Sequence, residues 1–254
     1  MTRKGKAEFI VKLVETETEL LAAQRLRYEI FVEELGGGGD QVDHELRLER
    51  DRFDPYFDHL ILKAVHDDAV VGVYRLLRGS RAELAGEFYS ESEYDLSPLK
   101  SSGRRLLELG RSCLHPDFRG GMAMHYLWGG LADYVAKHQI EILFGVASFH
   151  GTDIEALAAP LSLLHDRHLA PTALRVRAHD HVFQPMDLID VETLDRRAAM
   201  LQVPSLIKAY LRLGGCVGEG AFVDHAFNTT DVCLIMDTAK LTTQQAKMYK
   251  GRTT

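Results

Sequence analysis

Apolar positions fall into short blocks whose spacing shifts between two and about 3.6 residues, the periods of strand and helix. Phe9-Ile10-Val11-Lys12-Leu13-Val14 predicts a first strand. Over residues 17–35, Leu20, Leu21, Leu26, Ile30 and Phe31 approximate helical spacing, with Gln24 an exception in the apolar row. The glycines at 36–39 stop that helix. Residues 40–58 are charged and aperiodic, a long loop of the kind that carries function. Residues 59–66 and 69–77, joined by Asp67-Asp68, read as a β-hairpin. The polar stretch 78–103 is assigned little regular structure.

A strand is expected over 105–114, ended by His115-Pro116-Asp117. Gly120-Gly121 then opens a helix of roughly four turns running to His138, with Leu127, Leu131, Tyr134 and Val135 facing a core. Residues 142–146 read as a short buried strand, 153–169 as a helix interrupted by Pro160, and 174–183 as an alternating strand. A short helix over 191–201 and a second over 205–213, started by Pro204, precede a glycine-rich loop at 214–220 and a late strand at 232–236. The alternation of strands and helices predicts an α/β fold with a mixed sheet. It is read as one domain over 1–254, with 186–254 as a C-terminal elaboration.

Charge narrows the function. The 254 residues carry 30 Lys+Arg against 37 Asp+Glu, a formal charge of −7, which disfavours a basic nucleic-acid binder. No apolar run reaches the roughly 18 residues of a spanning helix, and the apolar block at 9–14 is too short for a signal peptide. Cys113, Cys216 and Cys233 are odd in number and far apart, the usage of a reducing, cytoplasmic compartment. The pairs His165/His168 and His179/His181 have metal-like spacing, but without an HExxH motif or a nearby cysteine no metal is expected.

Two features carry chemistry. The first is strand, His115-Pro116-Asp117-Phe118-Arg119-Gly120-Gly121, then helix, a turn that offers free backbone N–H groups and a positive helix end to a phosphate. The second is a series of charged blocks: Leu26-Arg27-Tyr28-Glu29-Ile30-Phe31, Glu49-Arg50-Asp51-Arg52-Phe53-Asp54, Gly72-Val73-Tyr74-Arg75-Leu76 and Glu108-Leu109-Gly110-Arg111. Arginine forks suit a substrate carboxylate, the loop carboxylates suit an ammonium, and Glu108 on a strand suits a general base. The same charges read equally as structural ion pairs that hold the long loop on the sheet.

The turn resembles the acyl-CoA-binding turn of the GCN5-related N-acyltransferase superfamily, in a register that uses Gly120, Gly121 and Ala123. The cradle is reduced, which suits the single phosphodiester of a carrier-bound phosphopantetheine better than a whole coenzyme A. The four blocks together resemble the acyl-homoserine-lactone synthases. Pro204-x-Leu206-x-Lys208-Ala-Tyr210-Leu211-Arg212-Leu213-Gly214, Gly218-Glu219-Gly220-Ala221, Asp224-x-x-Phe227-Asn228-Thr229-x-Asp231 and Phe144-Gly145-Val146-Ala147-Ser148-Phe149-x-Gly151-Thr152-Asp153 are similar to bacterial ornithine N-acyltransferases. The likeness spans about residues 9–240 and is closer than that to the lactone synthases.

The resemblance implies an α/β GCN5-related N-acyltransferase fold, a mixed, splayed β-sheet flanked by helices. It implies transfer of a 3-hydroxyacyl group from acyl carrier protein to the α-amine of L-ornithine, with no metal or redox cofactor. Glu108 and Ser148 then serve catalysis, and Arg27, Phe31, Asp51, Asp54, Arg75 and Arg111 serve substrate binding. Leu114, Arg119, Gly120, Gly121 and Ala123 hold the acyl-pantetheine. Lys100, Arg104, Arg105, Arg167, Arg175 and Arg177 would steer the acidic carrier. A single-chain product implies transient contact with the inner membrane surface. The rival expectations are an acyl-homoserine-lactone synthase using S-adenosylmethionine, or a non-catalytic carrier-binding module.

Overall fold

The computed structural model describes residues 8–39 and 42–240. The strands are β1 (Phe9–Leu13), β2 (Val42–Asp43), β3 (Leu48–Glu49), β4 (Asp58–Ala64), β5 (Val70–Arg78) and β6 (Tyr94–Asp95). They continue with β7 (Leu106–Leu114), β8 (Ile142–His150), β9 (Arg177–Ala178), β10 (Cys216–Val217), β11 (Phe222–Asp224) and β12 (Thr229–Asp237). The helices are α1 (Glu17–Arg27), α2 (Gly79–Ala85), α3 (Ser97–Lys100), α4 (Ala123–His138), α5 (Ala158–His168), α6 (Arg196–Gln202) and α7 (Ser205–Arg212). A π-helix, Tyr28–Glu34, prolongs α1.

The chain forms two compact units. Of the described residues, the first holds those up to Leu77 together with Leu109–Gln139, and the second holds Arg78–Glu108 and those from Ile140 to Lys240. In the first, the strand order is β1-β4-β5-β7. Ala23 and Leu26 of α1 and Ile30 of the π-helix pack on one face of that sheet with Ile61, Val73 and Cys113. On α4, Gly130 brings Val11 and Leu60 so close that a Cβ would meet Val11 Cγ1 at 2.3 Å. All four core positions expected on α4 are buried.

In the second unit the order is β7-β8-β12-β10, with β11 on β12. The parallel ladder of β7 on β8 covers Leu106↔Ile142 to Glu108↔Phe144, shorter than either strand. β8 is antiparallel to β12 from Ile142↔Asp237 to His150↔Thr229. In this unit the parallel ladder of β7 and β8 stands beside the antiparallel ladders of β12 with β8, β10 and β11, so its sheet is mixed.

Several expected elements differ. The segment 78–103 holds α2, a 3₁₀ turn (Tyr89–Ser92), β6 and α3, each too short to show a period and tied down by distant partners. The Tyr94 hydroxyl, for instance, donates to Gly220 O and Asp231 O at 3.1 and 3.0 Å. Only Arg177 and Ala178 of 174–183 form a strand, because the chain turns at Val182 N–His179 O. Pro160 does not interrupt α5 but lies in its first turn, where its missing N–H leaves no helical bond unmade. α6 starts later than expected, after Asp195, whose carboxylate caps Arg197 N and Ala198 N. β8 and β12 run longer than their apolar stretches because Thr229, Thr230 and Asp231 are buried strand residues.

Candidate active site

In the first unit the charged blocks close into a ring. Arg27 Nε bonds Glu49 Oε2 at 2.5 Å, and Glu49 Oε1 accepts from Arg111 Nε at 3.0 Å. Arg111 Nη2 lies 3.9 Å from Asp51 Oδ2, which accepts from Arg75 Nη1 at 2.7 Å. Arg75 Nη1 also reaches Asp54 Oδ1 at 2.6 Å, and Asp54 Oδ1 returns to Arg27 Nη1 at 2.9 Å. Three guanidinium groups thus alternate with three carboxylates, with no net charge.

Local sequence builds each corner. The loop turns on Asp51, whose Oδ1 accepts from Phe53 N and whose carbonyl accepts from Asp54 N. Buried Phe53 and Phe57 anchor it, and Arg75 lies 4.3 Å over the Phe57 ring. Gln24, the exception in the apolar row of α1, is buried and donates to Asp54 Oδ2 at 2.8 Å. His59 Nε2 donates to Asp54 O. Phe31, on the π-helix, lies under Arg111 at 5.9 Å. Arg111 itself has φ +51 within β7, a left-handed conformation that a side chain other than glycine adopts at a cost of about 1 kcal/mol or more.

Burial alone pushes the Glu49 carboxyl up, and the guanidiniums of Arg111, Arg27 and Arg75 overcome it, holding it well below the usual carboxylate range. Asp54 follows the same pattern: burial raises it, and Arg27 and Arg75 bring it below its ordinary value. Exposure is uneven around the ring. The Arg27 and Arg75 side chains are 0% exposed, whereas Arg111 and Asp51 are 13% and 10% exposed. The longest contact of the ring joins those two, which are also its most exposed members. Arg27 and Arg75 both pair with Asp54, as the reading of these charges as loop-holding ion pairs requires.

Also in the first unit, Arg119 does not stand free at the turn. Its Nη1 and Nη2 each donate to Glu34 at 2.6 Å, and its Nε donates to Leu114 O at 3.1 Å. Gly120 has φ +74, which favours glycine, and a Cβ there would meet nothing within 4 Å. Ala123 is buried as the first residue of α4.

In the second unit Glu108 is buried on β7. Its Oε2 accepts from Tyr89 N at 2.8 Å, and its Oε1 from Ser90 N at 2.8 Å and from Ser90 Oγ. The carboxylate thereby caps the 3₁₀ turn at residues 89–92. Ser148 is exposed on β8, opposite Asp231 of β12. Cations expected to steer a carrier meet carboxylates of this chain: Lys100 pairs with Glu91, Arg104 with Asp237 and Arg177 with Asp180. The His179 and His181 rings stack 5.8 Å apart, and His179 Nε2 donates to Glu91 O. Glu49, Glu34 and Ser90 lay outside the expected site set. Only Glu49 carried a signal, its place beside Asp51 in the Glu-x-Asp block.

Comparison with known proteins bears on the family of the chain. Residues 26–129 match the acetyltransferase (GNAT) domain family. The fold is similar to a CoA-dependent acyl-homoserine lactone synthase, BjaI (TM-score 0.53, 14% identity, 95% of this chain and 88% of that chain). It is also similar to FeeM, an N-acyl amino acid synthase from uncultured soil microbes (TM-score 0.52, 10% identity, 92% and 93%). At such identities the likeness concerns the fold alone. The chain is 40% identical over 246 residues to the L-ornithine N(alpha)-acyltransferase of Brucella abortus, covering 94% of this chain and 88% of the relative. It is 61% identical over 247 residues to that of Rhodobacter capsulatus, covering 95% of each. Such identity, end to end and on a GNAT fold, makes the chain a member of the L-ornithine N(alpha)-acyltransferase family.

Proposed function

We propose that the protein moves a 3-hydroxyacyl group from the phosphopantetheine thioester of acyl carrier protein to the α-amine of L-ornithine, giving a lyso-ornithine lipid. The 61% identity to a named ornithine acyltransferase carries this reading. In the reaction the amine nitrogen attacks the thioester carbon, a C–N bond forms, the C–S bond breaks, and the carrier leaves as its thiol. The proton lost by the amine goes to Glu108, directly or through water. Backbone N–H groups near Leu114 polarise the thioester oxygen, and Ser148 lies on the β8 edge along which the pantetheine amide would pair.

The more exposed side of the ring supports the choice of acceptor. It offers one cation, Arg111, and one anion, Asp51, the complement of an amino acid's carboxylate and of an ammonium. Arg27, Arg75, Asp54 and Glu49 position those two and hold the loop. No metal or redox cofactor enters. No helix among the described residues is long and apolar enough to cross a membrane. The enzyme acts from the cytoplasm, and a one-chain product partitions only marginally into the bilayer, so contact with the inner membrane surface is transient.

The test is thiol release from 3-hydroxyacyl carrier protein against a panel of amino acids, with and without S-adenosylmethionine. Ornithine-dependent release, independent of S-adenosylmethionine, is expected. Arg111→Gln and Asp51→Asn should each raise KM for ornithine roughly ten-fold or more, the scale of a lost charge-assisted bond. Release that prefers another acceptor, or that requires S-adenosylmethionine, would overturn the assignment.

A further inference from the structure

The contact of Arg119 with Glu34 carries a consequence for the donor. Glu34 ends the π-helix, and its two oxygens occupy both terminal nitrogens of Arg119 at 2.6 Å. A carboxylate and a phosphodiester present the same face to a guanidinium: two oxygens sharing one negative charge. The third donor of Arg119, Nε, is pinned to Leu114 O, so the fork is held aimed while its partner changes. Arg119 and Glu34 are 42% and 36% exposed, so an incoming group reaches the pair from solvent. Beside it, Gly120 and Gly121 leave open space, with no atom within 4 Å of a Cβ at Gly120 and only Phe118 O at 4.0 Å from one at Gly121.

The hydrogen bond from Arg119 also keeps the Glu34 carboxyl below its ordinary value, so Glu34 is ionised at neutral pH. A phosphate on Arg119 would meet that charge as a like-charged neighbour unless the Glu34 side chain swung away.

We infer that Glu34 is a built-in stand-in for the donor's phosphodiester: it holds Arg119 in the empty enzyme and is displaced when phosphopantetheine arrives. This rests on the reading of the Arg119 turn as the donor's phosphate site. The exchange breaks one ion pair and makes another of the same charge, so it sets the threshold for donor binding without leaving a guanidinium unpaired. The carrier that bears the arm gains Arg119 only by displacing Glu34, whereas the unmodified carrier has no phosphodiester and leaves the pair intact.

The test compares binding of the holo and apo forms of acyl carrier protein to the whole enzyme by fluorescence anisotropy, with thermal melts to confirm folding. Glu34→Gln should bind the holo form about two- to five-fold tighter, the range set by an exposed ion pair, and the apo form as the unchanged protein does. Arg119→Ala should lose most of the difference between holo and apo, and adding Glu34→Gln to it should gain nothing. If Glu34→Gln binds the holo form equally or more weakly while Arg119→Ala still erases the difference, Glu34 is only a brace and the phosphate site stands. If Arg119→Ala leaves the difference intact, the phosphate site itself falls, and the role of Glu34 with it.

Discussion

Glu108 is asked to do two things. Its oxygens accept from Tyr89 N, Ser90 N and Ser90 Oγ, which fixes the turn at residues 89–92, and the proposed chemistry asks the same carboxylate to take a proton. The roles separate experimentally. Glu108→Gln removes the base and should lower kcat by about 10²-fold or more, the usual worth of general base catalysis. Ser90→Ala removes one donor and leaves the carboxylate, so it should lower the melting temperature slightly and keep most of kcat. Equal losses of kcat in both variants, in step with their melting temperatures, would make Glu108 a purely structural cap. Single residues were legible here to different degrees. Glu108 and Arg111 stand in a recognisable block, whereas the partners of Glu108 lie 18 and 19 residues upstream in a stretch without periodicity.

At the scale of elements, the long loop before β4 is the informative case. Its charge and lack of period predicted a functional segment, yet what orders it is a hidden pairing: Glu49 and Asp54 reach Arg27 on α1, and Asp51 and Asp54 reach Arg75 on β5. Linear spacing cannot show that such residues meet. The one local hint was Gln24, a polar residue in an apolar row, now explained by its bond to Asp54.

Glu49→Gln leaves Arg27 buried against a neutral partner and should cost about 3–5 kcal/mol of unfolding free energy at neutral pH, read by urea titration. Because the folded pKa values of Glu49 and Asp54 are depressed, their contribution is complete above the ordinary carboxylate range and is lost as pH falls through the depressed values. The gap between the unchanged protein and Glu49→Gln should therefore narrow below about pH 4. A gap that stays constant down to pH 2 would show that the ring's charge is not what Glu49 contributes.

For the molecule as a whole, long periodic elements were readable and short ones were not. The β4–β5 hairpin and α4 formed close to their expected bounds, because each buries a face repeated over several turns or pairs. The helices and bridges of 78–103 and most of 174–183 depend on distant partners and carry no such repeat. The polar ends of β8 and β12 were missed because Thr229, Thr230 and Asp231 are buried through strand pairing rather than by apolar character. Function was legible through ordered blocks spread along most of the chain, of which the ring joins those between Arg27 and Arg111. The most direct measurement is tandem mass spectrometry of the product formed by the purified protein from 3-hydroxyacyl carrier protein and L-ornithine. One acyl chain in amide linkage to the α-nitrogen is expected, with a free δ-amine and one carrier thiol released per product. An acyl group on the δ-nitrogen, or thioester consumed without any acylated ornithine, would contradict it.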